Sequence, residues 1–148
     1  SLGMNFRVTD LQCGIGLSQI DKFPKILEKK LKNYDLYREM LYGVGDLEFL
    51  ELEEGSSFVP FRFYIKTKFK DMLIEYLENQ NIQTRSFFYP MHLQPPLKQY
   101  LNKNQKCEVS EKLYNSGICL PLHYYLTKIE IKYITKHIKK FFRNNRSM

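Results

Sequence analysis

Leu47 to Phe87, LEFLELEEGSSFVPFRFYIKTKFKDMLIEYLENQNIQTRSF, decides the fold class. Leu47 to Leu52 is short and alternates in polarity, and Phe58 to Lys66 is aromatic-rich with period-two character, so both are predicted strands. Gly55, Ser56 and Ser57 connect them. Asp71 to Asn79 carries Met72, Leu73, Tyr76 and Leu77 at helical spacing, and Ile82 to Phe87 is a third predicted strand. The order is β-β-α-β, an α+β pattern.

Helical segments flank this core. Upstream, Thr9 followed by Gln12 is a capping-box pattern, with Leu11, Ile15 and Leu17 following at helical spacing. Pro24 suits a first helical turn but not an interior, so a break near Lys22 to Pro24 is expected, then a second helix to about Tyr42. Gly43 and Gly45 are expected to stop it. Downstream, Tyr89 to Pro96 holds three prolines and is expected to form a shaped loop, the kind of segment that carries sites. Glu108 to Ser116 is a predicted helix, Ile118 to Leu120 a brief extended piece. Thr127 and Glu130 form a second capping box that opens an amphipathic helix through Ile131, Ile134, Ile138 and Phe142.

The 148 residues suit one compact domain, 1–148, and 43% apolar content suffices for one core. With 23 basic and 16 acidic residues the net charge is +7, which favours anionic partners. No apolar run approaches the roughly 18 to 20 residues that cross a bilayer, and the N-terminus has no signal-peptide pattern. A soluble, cytoplasmic protein without a membrane partner is expected. Cys13, Cys107 and Cys119 are far apart and odd in number, which points to neither a metal site nor a disulfide framework. In the basic stretch at 136–146, Ile138, Phe141 and Phe142 recur at amphipathic spacing. That favours a helix with a solvated lysine face over a nucleic-acid-binding surface.

Three blocks carry a family resemblance. G-M-N-F-R-V-T-D-L-Q-C-G-I-G-L-S-Q, Gly3 to Gln19, resembles the signature G-x-N-x-R-M-x-D-L-Q-A-A-I-G-x-x-Q of the DegT/DnrJ/EryC1/StrS sugar aminotransferases. Ile82 to Pro96 is similar to the I-x-T-R-P-F-F-x-P-x-H segment of perosamine-synthetase-like members, and Gly117 to Ile134 resembles the family's closing G-x-x-L-P, loop, L-T, helix pattern. Val8, Cys13, Gly14 and Ser86 depart from these patterns.

The resemblance implies the C-terminal small domain of the aspartate-aminotransferase-like, fold type I architecture, with pyridoxal 5'-phosphate as cofactor. It implies that Asn5 and Arg7 reach across a homodimer interface to the cofactor phosphate, and that Arg85, Phe88, Tyr89 and His92 line the substrate site. An amide and a guanidinium ahead of a helix N-terminus are chemically suited to a phosphate. Without the family match, a cap and a surface pair would account for Asn5 and Arg7; for His92, a loop-holding bond to backbone stands beside a substrate contact. The implied substrate is a nucleotide-linked 4-keto-6-deoxy sugar, with glutamate as amino donor. The domain carrying the Schiff-base lysine in family members has no counterpart here, so no catalytic residue is nominated, the chain is expected to be inactive alone, and a separate N-terminal chain is a possible partner. A dehydratase of the same family, or a non-catalytic remnant or partner subunit, are the alternatives.

Overall fold

A computed structural model describes residues 6–100 and 107–145. The first helix, α1, runs from Asp10 to Leu41. The Thr9 hydroxyl accepts from the Gln12 amide at 3.4 Å, and the Gln12 side chain accepts from the Thr9 amide at 2.9 Å, completing the expected capping box.

The expected break at Lys22 to Pro24 is not there: α1 continues through Pro24 for 32 residues. An interior proline removes one helical hydrogen bond and crowds the carbonyl four residues back. Here that carbonyl belongs to Ile20, on an exposed stretch where water can serve it. Beyond the proline, Asn33, Tyr34, Tyr37 and Leu41 are buried, and this packing holds the second half of the helix in line with the first. The first half has no such cover: Leu11 is 75% exposed and Ile20 67%.

After Tyr42 the chain turns through Gly43 and Gly45, at φ +68° and +58°. Gly45 also lies so close to the Phe142 ring that a Cβ there would overlap it, so glycine is required on both counts. Asp46 ties this turn to the start of the next helix, accepting from the Thr67 hydroxyl at 2.5 Å and the Lys68 amide at 2.9 Å.

Among the described residues, four strands form one antiparallel sheet: β1 (Glu48–Phe49), β2 (Phe63–Lys66), β3 (Arg85–Ser86) and β4 (Gly117–Leu120), in the spatial order β1-β2-β4-β3. The β1, β2 and β3 strands are shorter than the alternation suggests. Pro60 has no amide hydrogen to extend β2 backwards, and β1 and β3 are edges with a partner on one side. The brief extended piece is in fact a central strand. It separates β2 from β3, pairing Phe63 with Leu120 and Ile65 with Ile118 on one side, and Arg85 with Cys119 on the other.

Helices α2 (Lys70–Glu78), α3 (Glu108–Ser116) and α4 (Lys128–Asn144) match expectation to within a residue or so. The proline-rich loop contains two 3-10 turns, Met91–Leu93 and Pro95–Tyr100. In α4, Ile131, Ile134, Ile138, Phe141 and Phe142 are buried while Lys136, Lys139 and Lys140 are exposed, which is the solvated-face arrangement. Along β2, Phe63 and Ile65 face the helices and Tyr64 and Lys66 face away. The core joins these strand residues to Tyr37 and Leu41 of α1, Leu73 and Leu77 of α2, and Ile131 and Ile138 of α4.

Three buried polar groups show how this core is closed. Asn33 donates to the Leu126 carbonyl at 3.0 Å, fixing the loop before α4 to α1. The Lys70 ammonium donates to the Tyr114 carbonyl at 2.6 Å and lies 4.4 Å from that ring's centre. The Tyr37 ring stacks on Phe63 at 4.7 Å, but its hydroxyl finds no hydrogen-bond partner among the described residues, and burial pushes its pKa well above the usual tyrosine value.

Stability measurements by denaturant titration should separate the two halves of α1. Leu41→Ala should cost about 3 kcal/mol, as a fully buried leucine does, whereas Leu11→Ala should stay within about 0.5 kcal/mol. Tyr37→Phe should be neutral or stabilise by up to about 1 kcal/mol, because it removes an unsatisfied hydroxyl and keeps the ring. A loss on Tyr37→Phe would mean that the hydroxyl has a partner.

Candidate functional site

Two regions hold the residues nominated from sequence. At the start of α1, Asn5 lies outside the described residues, and Arg7 is exposed on the extended segment leading to the cap. Asp10 stands in the first turn of that helix.

The second region begins at β3. Residue parity places Arg85 on the sheet face opposite the helices, together with Tyr64 and Cys119, whose register partners it shares. Phe87 lies on the same side, edge-on to Tyr64 at 5.4 Å, and Gly117 gives it room, since a Cβ there would overlap the ring. Phe88 is 74% exposed and lies 5.8 Å from the Arg62 guanidinium.

From Tyr89 onward the loop turns to α3. The Tyr89 ring meets Tyr114 edge-on at 5.2 Å, and His92 Nε2 is 2.9 Å from Glu111 Oε1, with the histidine side chain only 12% exposed. His92 therefore fastens the loop to α3 through the Glu111 carboxylate and not through a bond to backbone. The four nominated residues thus do not converge: Arg85 and Phe88 belong to the open sheet face, and Tyr89 and His92 to the contact with α3.

What the structure gathers around Arg85 is a groove of about 900 Å³ at the end of the sheet. Its apolar wall includes Leu122, Leu126, Ile129 and Ile134, and its basic groups are Lys30, Arg62, Arg85 and His123. Lys30, Arg62 and His123 are not among the residues that the sequence motifs single out. The signal for Arg62 was present, because it alternates with Phe63 and Ile65 and so must face away from the core. Lys30, 55 residues from Arg85 in the chain, gave no comparable local signal.

Cys119 lies between the two arginines, paired in register with Arg85 and beside the Arg62 guanidinium. Burial raises its pKa and the arginine opposes part of that rise. Its thiol points to the Ser86 carbonyl at 3.6 Å. Burial also lowers the pKa of Lys30, whose ammonium lies 3.5 Å from the Phe61 carbonyl. No group of three or more His, Cys, Asp or Glu side chains suited to a metal occurs among the described residues. No described helix is long and apolar enough to cross a membrane.

These environments predict selective thiol chemistry. Brief iodoacetamide treatment at neutral pH, read by peptide mass mapping, should alkylate exposed Cys13 and leave buried Cys119 intact. Equal labelling of the two would contradict the closed packing around β4.

Similarity to known proteins accords with this fold. The model of the DegT/DnrJ/EryC1/StrS aminotransferase family matches residues 1–139. The chain is 27% identical over 146 residues to a dTDP-4-amino-4,6-dideoxy-D-glucose transaminase of Shigella dysenteriae, aligning 94% of the chain with 39% of that protein. It is 29% identical over 146 residues to a GDP-perosamine synthase of Vibrio cholerae, aligning 93% with 38%. A DegT DnrJ EryC1 StrS aminotransferase from Brucella abortus superposes with a TM-score of 0.82 at 25% identity, over 92% of this chain and 36% of that one. The chain spans about two fifths of the length of the curated relatives it matches. Aminotransferases of this family depend on pyridoxal phosphate. The small antiparallel sheet between a long N-terminal helix and a C-terminal helix is the small-domain portion of fold type I transferases. The chain belongs to the DegT/DnrJ/EryC1/StrS aminotransferase family.

Proposed function

We propose that this chain is the small-domain part of a pyridoxal-phosphate-dependent aminotransferase of amino-sugar biosynthesis, acting in the cytoplasm as a homodimer. Its substrate would be a nucleotide-linked 4-keto-6-deoxy sugar, with glutamate as amino donor. The observation that carries this reading is the family match over 1–139, joined to relatives named for transamination of nucleotide-linked sugars and for perosamine synthesis. A basic groove beside an exposed aromatic, Phe88, is compatible with a substrate that combines phosphates with flat rings.

Bound pyridoxal phosphate supplies an electron sink for amino transfer. The chemistry of the donor set fits a share in holding its phosphate. Arg7 is exposed just ahead of a capped helix start, and a guanidinium there can donate to two phosphate oxygens at once. Asn5 would add an amide donor beside it. On the substrate side Arg85 and Phe88 would make contact directly. His92, held by Glu111, would act by keeping the loop against α3, and Tyr89 by its packing on Tyr114.

No Schiff-base lysine is assigned within this chain, so it is expected to be inactive by itself. The test is to assay glutamate-dependent amination of dTDP-4-keto-6-deoxyglucose by this chain alone, and by this chain co-expressed with the N-terminal segment of a related aminotransferase. Product should form only in the second case, and turnover by the chain alone would overturn the assignment. In the active assembly, Asn5→Ala and Arg7→Ala should each weaken cofactor retention about tenfold with little change in melting temperature. Parallel losses of both would instead assign these residues to helix capping.

A further inference from the structure

The outward face of α4 carries a concentration of charge that the aminotransferase reading leaves unused. Lys128, Lys132, Lys136, Lys139, Lys140 and Arg143 are all exposed. At about 100° per residue they fall within an arc of about 120°, in a row about 22 Å long. The acidic residue of the helix, Glu130, lies outside that arc, and its carboxylate accepts from the Thr127 amide and hydroxyl, each at 2.7 Å. Among the described residues, none of the six cations is within ion-pair distance of a carboxylate.

The stability of the helix does not account for this row. Lys128 with Lys132, Lys132 with Lys136, Lys136 with Lys140, and Lys139 with Arg143 are like charges four residues apart, and each such pair disfavours a helix. Lys128 also stands in the first turn, where the helix dipole opposes a cation. The buried face, with Ile131, Ile138 and Phe141, holds α4 in place against this repulsion. Burial, and next the charges of Lys140 and Lys136, hold the neighbouring His137 imidazole below its ordinary pKa, so the field of the row reaches its flank. An anionic surface laid along the row would relieve the repulsion.

Two features select the kind of surface. Ile129 is 79% exposed within the arc, one turn from Lys132. A nucleic-acid backbone has nothing to cover an isoleucine, whereas the boundary between lipid headgroups and acyl chains does. The nearby Tyr133 is no platform for a stacked base, because its ring lies 4.5 Å from that of His137 between centres and its hydroxyl donates to the Gln80 carbonyl at 3.3 Å. At the other end of the row, Lys139 and Arg143 border a recess of about 280 Å³ with Gly43, Val44 and Gly45, and no carboxylate lines it. A phosphate headgroup would meet two cations there. We propose that the outward face of α4 docks on an anionic lipid bilayer, with its cations against the lipid phosphates and Ile129 at the acyl boundary. The contact is peripheral: that no described helix can cross a membrane bears on spanning and not on surface contact.

Co-sedimentation of the chain with vesicles tests this, with equal parts phosphatidylcholine and phosphatidylglycerol set against phosphatidylcholine alone. The chain should pellet with the anionic vesicles and stay in solution with the neutral ones. Raising the ionic strength from about 0.1 M to about 1 M, which shortens the Debye length to about 3 Å, should release it. Lys132→Glu combined with Lys136→Glu should weaken binding at least about tenfold. The same charge change on α1, Lys22→Glu combined with Lys25→Glu, should weaken it far less, and Ile129→Ser should weaken it at unchanged net charge. All five positions are exposed, and melting curves check that each variant is folded. Equal binding to neutral vesicles would overturn the proposal, since the uncovered first half of α1 would then account for it. So would equal losses in the two double variants, or an Ile129→Ser protein that binds as tightly as the parent. Retention by a short DNA duplex but not by the vesicles would overturn it as well, and would assign the face to nucleic acid.

Discussion

The pairing of β2 with β4 is the constraint on which the rest of the molecule depends. Phe63 and Ile65 lie beside Leu120 and Ile118, and all four side chains are turned to the same face and fully or almost fully buried. That four-residue apolar platform is what the second half of α1, together with α2 and α4, covers. Tyr34 and Tyr37 close on Phe63 from α1, at 4.9 and 4.7 Å between ring centres, one edge-on and one stacked. The platform also sets the opposite face, because residues between the buried ones must point away from it. Tyr64, Cys119 and Arg85 therefore share the face on which Phe87 packs, and Arg62 reaches it one step ahead of Phe63.

The polar interactions are placed where this platform meets the loops. Asp46 gathers the turn after α1 and the entry to α2, Asn33 fixes the loop before α4, and Lys70 reaches the end of α3. Each satisfies groups that packing would otherwise strand, and each spans more than twenty residues of sequence. Exposed ion pairs add little by comparison: Lys32 with Glu28 and Lys66 with Glu48 leave the carboxylates largely in solvent, where such pairs are worth about 0 to 1 kcal/mol.

Along α1, packing and function diverge. The second half is a core element. The first half carries Leu11, Ile15, Ile20 and Phe23 on an uncovered surface, and the block that resembles the family signature, Gly3 to Gln19, overlaps this stretch. Residues 10–20 are thus a helical segment that the core of this domain leaves uncovered. Pro24 stands near the boundary between the two halves, at a point where the helix has not yet entered the core.

What the sequence determined by itself was whatever rests on short-range geometry. Both capping boxes, the extent of α3 and α4, the stop at Gly43 and Gly45, and the outward lysines of α4 each follow from side chains three or four residues apart, or from the φ angle a glycine can adopt. The three motif blocks made the family legible for the same reason, since a motif is local. Strand order was not legible, because Gly117 to Leu120 becomes central only through partners that lie about fifty and about thirty residues away. Nor was the continuity of α1 through Pro24, since a local propensity yields when packing aligns the turns on its far side. The tertiary structure alone divided the nominated residues, sending Tyr89 and His92 to α3 and leaving Arg85 with Arg62 and Lys30. Which side chains share a groove is decided by register and by the helix that crosses it, and neither is written within any one stretch of the chain.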